Sequence, residues 1–134
     1  MSSSLLAWPQ HIHHTRAHAW FGSLAGSWMT TPVTEAGFVR LSTNPVVVTE
    51  TIMMATALGM LSAMRSTGSH VFLPDDSSLA APVIELSALA TSREVTDAHL
   101  VNLAAASGAT LATLDRGIER MLAPADRKFV TVLP

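Results

Sequence analysis

The strongest constraint on the fold is a change of hydrophobic period between Thr96 and Gly117. Residues from Thr96 to Ser107 carry apolar side chains at helical spacing and are followed by Gly108, a residue typical of helix ends. The next segment, Ala109–Leu114, is an apolar run of strand length, closed by a turn at Asp115. A helix followed at once by a buried strand indicates an α/β domain with a mainly parallel sheet.

The other segments repeat this alternation. Thr31-Pro32 combines a capping hydroxyl with a proline at the first helical position, so a helix is predicted from there to about Thr43. Further helices are predicted over His14–Ala25, Thr51–Arg65 and Pro82–Ala90, and further strands over His70–Leu73 and Phe129–Leu133. Such domains usually open with a buried strand, whereas this chain is expected to begin almost directly in a helix.

Composition narrows the class of protein. With 134 residues, 49% of them hydrophobic and 13% charged, residues 1–134 are expected to form one domain with a sizeable core. The chain has no cysteine and no apolar run near the roughly 20 residues of a membrane span, so a cytoplasmic protein is expected. The net charge is −2, and Lys128 is the single lysine. The chain is therefore not expected to bind nucleic acid through a large excess of positive charge.

Three acidic residues lie at positions where a catalytic site is expected. Glu35 and Asp97 fall in the first turns of predicted helices, and Asp115 ends a predicted strand. In a parallel sheet, helix starts and strand ends share one edge, so these side chains can converge. Clustered carboxylates favour a hard cation such as Mg²⁺ or Mn²⁺. Simple helix-dipole pairing for Glu35 and Asp97, and turn formation by Asp115, are alternatives that the spacing leaves open.

The histidines near the amino terminus suggest a second kind of site. His14 and His18 are four residues apart and share a helical face, as zinc-binding histidines do. However, Ala17 stands where a zinc-protease motif has glutamate, and the sequence implies no third ligand. A partly exposed histidine cluster at a helix start is therefore the favoured interpretation.

Five short segments carry a resemblance to known proteins: Ala7–His14, Thr31–Pro45, Phe72–Asp76, Val95–Leu100 and Ser107–Gly117. Together they resemble the VapC-type PIN-domain ribonuclease toxins. The similarity covers nearly the whole chain in order, and it is specific as a combination although each segment is short. The resemblance implies a PIN-like three-layer domain with a mainly parallel central sheet flanked by helices.

The resemblance also implies residue roles and partners. It makes Asp97 a ligand of Mg²⁺, or of Mn²⁺ in its place, with Glu35 and Asp115 as further ligands or as residues that orient metal-bound water. The residues expected to support the site or contact substrate phosphates are Thr113, Arg40 and Arg116. The implied protein is an endoribonuclease toxin of a type II toxin–antitoxin pair. Its implied partners are RNA, a VapB-like antitoxin and a second copy of the chain, with no membrane.

The chain departs from the family at its beginning. The family opens with a strand that ends in an Asp-x-Asn motif, whereas Met1–Ser4 stands here and no acidic residue precedes Glu35. The first strand and its aspartate are therefore expected to be absent, through a start placed too late, a trimmed chain or a degraded copy. The alternative function is a catalytically impaired PIN module that binds antitoxin or RNA without efficient cleavage.

Overall fold

The structure is a computed structural model that describes residues 3–6, 27–44, 52–66, 69–113 and 115–132. Its strands are β1 Ser3–Leu6, β2 Ser27–Thr30, β3 His70–Phe72, β4 Thr110–Thr113 and β5 Val130–Val132. Its α-helices are α1 Pro32–Thr43, α2 Met54–Arg65 and α3 Val95–Ala106. Short 3₁₀ segments cover Ser92–Glu94, Arg116–Met121 and Pro124–Phe129. The predicted α/β class is confirmed, and the single-domain assignment of residues 1–134 stays a prediction.

Within these ranges the strands form one parallel sheet in the order β3-β2-β1-β4-β5. β1 lies at its centre, where Leu5 pairs with Met29 on one side and with Leu111 on the other. The expected absence of the first strand is therefore wrong. Ser3 and Ser4 gave no strand signal in the sequence, and pairing on both sides supplies what their weak strand preference lacks.

The core lies between the sheet and α3. Leu5 of β1 and Leu111 of β4 have no exposed surface, and neither do Val101 and Leu103 of α3. Burial of each such side chain contributes roughly 1.5–3 kcal/mol, so this packing fixes α3 against the centre of the sheet. The start of α3 is thereby placed beside the end of β4.

The helix starts follow local capping, with one correction. Thr31 caps α1 as predicted: the N–H of Thr34 donates to its hydroxyl (3.2 Å), and the N–H of Thr31 donates to the hydroxyl of Thr34 (2.8 Å). The predicted cap of α3 at Thr96 is wrong. That helix begins at Val95, after a 3₁₀ turn in which the N–H of Thr91 donates to Glu94 (2.9 Å).

The predicted helix over Pro82–Ala90 is wrong, because the segment has no helical residues. The N–H of Val83 donates to Oδ1 of Asn102, and the N–H of Glu85 donates to Oδ2 of Asp126, both at 2.8 Å. Side chains from distant segments therefore hold this segment in a non-helical conformation. The predicted helix over His14–Ala25 lies outside the described residues.

Candidate active site

The candidate site lies at the carboxyl edge of the sheet. β2 ends at Thr30 and α1 begins two residues later, and β4 ends at Thr113, two residues before Asp115. Asp97 lies in the first turn of α3, which packs against β4 and β1. Helix starts and strand ends meet at this edge, as expected for a parallel sheet.

Asp97 and Asp115 form a pair of carboxylates that repel each other. The pKa of Asp97 is raised to about 6, mainly by burial and further by the negative charges of Asp115 and Glu94. Within the described ranges, no arginine, lysine or histidine lies within ion-pair distance of either aspartate. The pair therefore holds negative charge that no described side chain neutralises.

The carboxylate of Asp115 is held in a fixed orientation. Its Oδ1 accepts a hydrogen bond from the N–H of Gly117 at 2.8 Å, and its own N–H donates to the hydroxyl of Thr113 at 3.0 Å. A Cβ at position 117 would lie 3.0 Å from Oδ1, so the contact favours glycine. Thr113 is 2% exposed and its hydroxyl binds the backbone of Asp115, an arrangement suited to supporting the site; its predicted role stays a prediction.

Glu35 belongs to a different polar cluster, beside β2. The hydroxyl of Thr30 donates to Oε2 of Glu35 at 2.5 Å and lies 2.8 Å from Nε2 of His70. Because the single hydroxyl proton goes to Glu35, Nε2 of His70 must be the donor in the second contact. Burial, followed by the nearby charge of Arg65, lowers the pKa of His70, which keeps the ring neutral near pH 7.

Arg65, the last residue of α2, supplies a cation to this cluster. Its Nε lies 3.5 Å from Oε2 of Glu35, and its guanidinium carbon lies 4.6 Å from the ring centroid of Phe72. The side chain of Glu35 is 13% exposed and that of Arg65 is 44% exposed. The glutamate is thus largely covered and paired, whereas its arginine partner reaches solvent.

The three predicted carboxylates do not form one cluster. Across the described residues, no three His, Asp or Glu side chains lie together in a way that could hold a metal ion. β1 separates the two acidic regions in the sheet, and it ends at Leu6, which pairs with Ala112. The membership of Glu35 in a ligand set stays a prediction, as does that of Asp97 and Asp115.

The two predicted phosphate-contacting arginines occupy different places. Arg116 is exposed and follows Asp115 directly, so it lies at the site. Arg40 is exposed in the last turn of α1, five residues after Glu35 and about 140° further round the helix axis. The structure therefore keeps Arg116 with the candidate site and places Arg40 away from it.

Sequence reasoning missed Thr30, Arg65 and His70. Thr30 stands just before the Thr31-Pro32 helix signal, and nothing in its own neighbours sets it apart. Arg65 and His70 contact the Glu35 cluster only through the packing of α2 and β3. The histidines considered for zinc, His14 and His18, lie outside the described residues.

Comparisons with known proteins agree with the motifs. No protein-family model matches the chain. Ribonuclease VapC38 of Mycobacterium tuberculosis is 48% identical over 114 residues, which cover 84% of this chain and 79% of that protein. From the same organism, Ribonuclease VapC39 is 42% identical over 119 residues (84% and 83%), and Ribonuclease VapC29 is 33% identical over 112 residues (84% and 79%). Similarity at this level over most of both chains shows that this chain belongs to the VapC ribonuclease family.

Proposed function

We propose that this protein is an endoribonuclease toxin that hydrolyses RNA phosphodiesters with a divalent cation held by Asp97 and Asp115. The observation that carries the proposal is the uncompensated pair of carboxylates at the carboxyl edge of the sheet. The ribonuclease names of the VapC relatives support the choice of substrate.

The donor set fits a hard divalent cation. Asp97 is partly buried within electrostatic reach of Asp115, and oxygen atoms of carboxylates are the ligands that Mg²⁺ and Mn²⁺ prefer. A cation there would offset the repulsion by Asp115, which adds to burial in raising the pKa of Asp97. When bound, such an ion supplies a Lewis acid for the phosphoryl oxygens and lowers the pKa of coordinated water.

Residues around the two aspartates would position the groups that this reaction needs. Thr113 and Gly117 hold Asp115 with one oxygen engaged, which leaves Oδ2 to accept a hydrogen bond from the attacking water or to bind the cation. The burial of Asp97 strengthens its interaction with any cation because charges attract more strongly away from water. Arg116, exposed beside Asp115, is proposed to contact the phosphate that is cleaved.

A gel assay with end-labelled single-stranded RNA tests the proposal. We expect cleavage in Mg²⁺ or Mn²⁺, none in EDTA, and a loss of about a hundredfold or more in Asp97→Asn, since misplaced catalytic groups cost that much. Asp76→Asn, a change of the same type at an exposed position outside the pair, is the matched control and should cut normally. Equal cleavage by Asp97→Asn and the unmodified protein would reject the site.

A second function is favoured by one observation: β1 ends in Leu6, and no acidic residue precedes Glu35. The last residue of β1 is thus a leucine, where the family resemblance places an aspartate. The alternative is a module that binds RNA or antitoxin without efficient cleavage. RNA retained on the protein but intact after incubation with Mg²⁺ would favour this alternative.

We also propose a VapB-like antitoxin as partner, a homodimer as the assembly and the cytoplasm as the location. None of the described helices has the length and apolar character needed to cross a bilayer. A small antitoxin gene beside the coding sequence, and co-purification of its product with this chain, are the expected findings. Light scattering after size-exclusion chromatography measures whether one or two copies of the chain are present.

A further inference from the structure

The polar cluster of Glu35, Thr30 and His70 orients the side chain of Arg65 through more contacts than a simple surface ion pair has. Oε2 of Glu35 is held by the hydroxyl of Thr30, a residue with no exposed surface, and the same oxygen faces Nε of Arg65. The ring of Phe72 lies under the guanidinium at 4.6 Å. Two contacts on different sides of the guanidinium therefore restrict its orientation before any ligand arrives.

These contacts leave the terminal amino groups of Arg65 available. The ion pair with Glu35 uses Nε, and no other carboxylate of the described chain lies within ion-pair distance of this guanidinium. The side chain is 44% exposed. A planar fork of N–H donors that is already oriented is suited to two parallel hydrogen bonds with a phosphate.

The position of Arg65 relative to the two aspartates indicates which phosphate of a bound RNA it would contact. Neighbouring strands lie about 4.8 Å apart, so β2 and β4, with β1 between them, are separated by about 10 Å. Arg65 is joined through Glu35 to the end of β2, and the Asp97–Asp115 pair lies at the end of β4. An RNA strand cut at the aspartates would therefore present a neighbouring phosphate to Arg65.

We propose that Arg65 binds a phosphate that flanks the cleaved one, and that Glu35 is the residue that positions Arg65 for this contact. The proposal rests on the proposed ribonuclease function and adds a second contact point for the substrate strand. It also explains why a net charge of −2 is compatible with RNA binding, because the contact depends on one oriented guanidinium and not on bulk charge.

The test is fluorescence anisotropy with a labelled, mixed-sequence single-stranded RNA in EDTA, at several NaCl concentrations. Arg65→Gln should raise Kd by about five- to tenfold and reduce the slope of log Kd against log salt by about 0.7, the value for one phosphate contact. Arg65→Lys should lose less, because it keeps the charge but not the fork. Arg127→Gln, the same charge change beside the start of β5 at the opposite edge of the sheet, should leave Kd within about twofold.

The variant Glu35→Gln shows whether Glu35 orients the guanidinium of Arg65 or only neutralises its charge. If Glu35 only neutralises Arg65, its removal frees a cation and RNA should bind more tightly. If Glu35 orients the guanidinium, RNA should bind about two- to fivefold more weakly although the net charge is more favourable. Circular dichroism checks the fold of each variant, and Arg65→Lys decides the matter if Arg65→Gln does not fold.

Unchanged binding and slope in Arg65→Gln, equal losses in Arg65→Gln and Arg127→Gln, or tighter binding by Glu35→Gln would overturn the proposal. Any of these results with normal RNA cleavage rejects the Arg65 contact alone. Failure of the unmodified protein to cut RNA that it still binds counts against the proposed function, and the Arg65 comparison still decides this proposal. No RNA binding by the unmodified protein would overturn both.

Discussion

Two acidic regions lie at the same edge of one sheet, and they differ in how their charge is balanced. Beside β2, Glu35 accepts a hydrogen bond from Thr30 and faces the guanidinium of Arg65. Beside β4, burial and the negative charge of Asp115 raise the pKa of Asp97 to about 6. A largely covered carboxylate paired with its own cation is explained by the fold alone. A partly buried carboxylate such as Asp97, beside the exposed Asp115 and with no described cation, costs stability and indicates a binding site.

The strand between the two regions sharpens this contrast. β1 ends in Leu6, so the position between Glu35 and the aspartates carries an aliphatic residue instead of a carboxylate. Among the described residues, this edge therefore holds one acidic region that is paired with Arg65 and one that has no paired cation, and no described acidic side chain lies between them. The following experiments change one region at a time.

The largest expected effect on stability is at Glu35. Glu35→Ala removes the acceptor of the fully buried hydroxyl of Thr30 and leaves Arg65 without its partner. We expect a destabilisation of about 2 kcal/mol, or a fall in Tm of about 6 °C, measured by thermal denaturation in EDTA. Glu119→Ala, in the 3₁₀ segment after β4, is the control and should change Tm by less than about 2 °C. Equal falls in Tm in the two variants would show that the contacts of Glu35 do not contribute to the stability of the fold.

The next effect concerns the position between the regions. Leu6→Asp places a carboxylate at the last residue of β1, level with Ala112, and should raise the affinity for Mn²⁺ about tenfold by adding an acidic ligand. Leu6→Asn is the matched control, because it has the same shape without the charge. Isothermal titration measures both, after circular dichroism has shown that each variant folds. No gain in affinity in Leu6→Asp would show that the end of β1 does not reach the cation.

The smallest expected effect is a gain of stability. Because the folded protein raises the pKa of Asp97 above its ordinary value of 3.8, ionisation of this group opposes folding at neutral pH. Asp97→Asn should therefore stabilise the metal-free protein at pH 7 by about 1 kcal/mol, a value reduced for solvent screening. The gain should grow as the pH rises from about 4 to 6 and vanish below pH 4. Melting curves across this range in EDTA check the sign, with Asp76→Asn as the exposed control. If Asp97→Asn were less stable than the unmodified protein at pH 7, the claim that Asp97 carries a charge without a paired cation would be wrong.

Local signals in the sequence predicted the parts of the fold that depend on near neighbours. Thr31-Pro32 marks the start of α1, and Gly108 between a helix and an apolar run marks the α3–β4 unit. These two signals also place Glu35, Asp97 and Asp115 at the carboxyl edge of the sheet. The resemblance to VapC-type toxins used the same segments and is confirmed at the level of the family.

The features that depend on distant contacts could not be predicted. After Pro82, the non-helical segment is bound by Asn102 and Asp126, which accept hydrogen bonds from backbone N–H groups 19 and 41 residues away in sequence. β1 is stable because both its neighbours pair with it, although its own residues include only two leucines. The pairing of Glu35 with Arg65 depends on how α1 packs against α2, which no local pattern encodes.

The central proposal is that Asp97 and Asp115 hold a divalent cation and that Glu35, which is paired with Arg65, does not. The direct test is Mn²⁺ binding, measured by electron paramagnetic resonance of free Mn²⁺, for the unmodified protein and for Asp97→Asn, Asp115→Asn and Glu35→Gln. We expect one Mn²⁺ per chain in the unmodified protein, its loss in both aspartate variants, and its retention within about threefold in affinity in Glu35→Gln. Retention of Mn²⁺ by Asp97→Asn, or equal losses in Glu35→Gln and Asp97→Asn, would contradict the division of the edge into two regions.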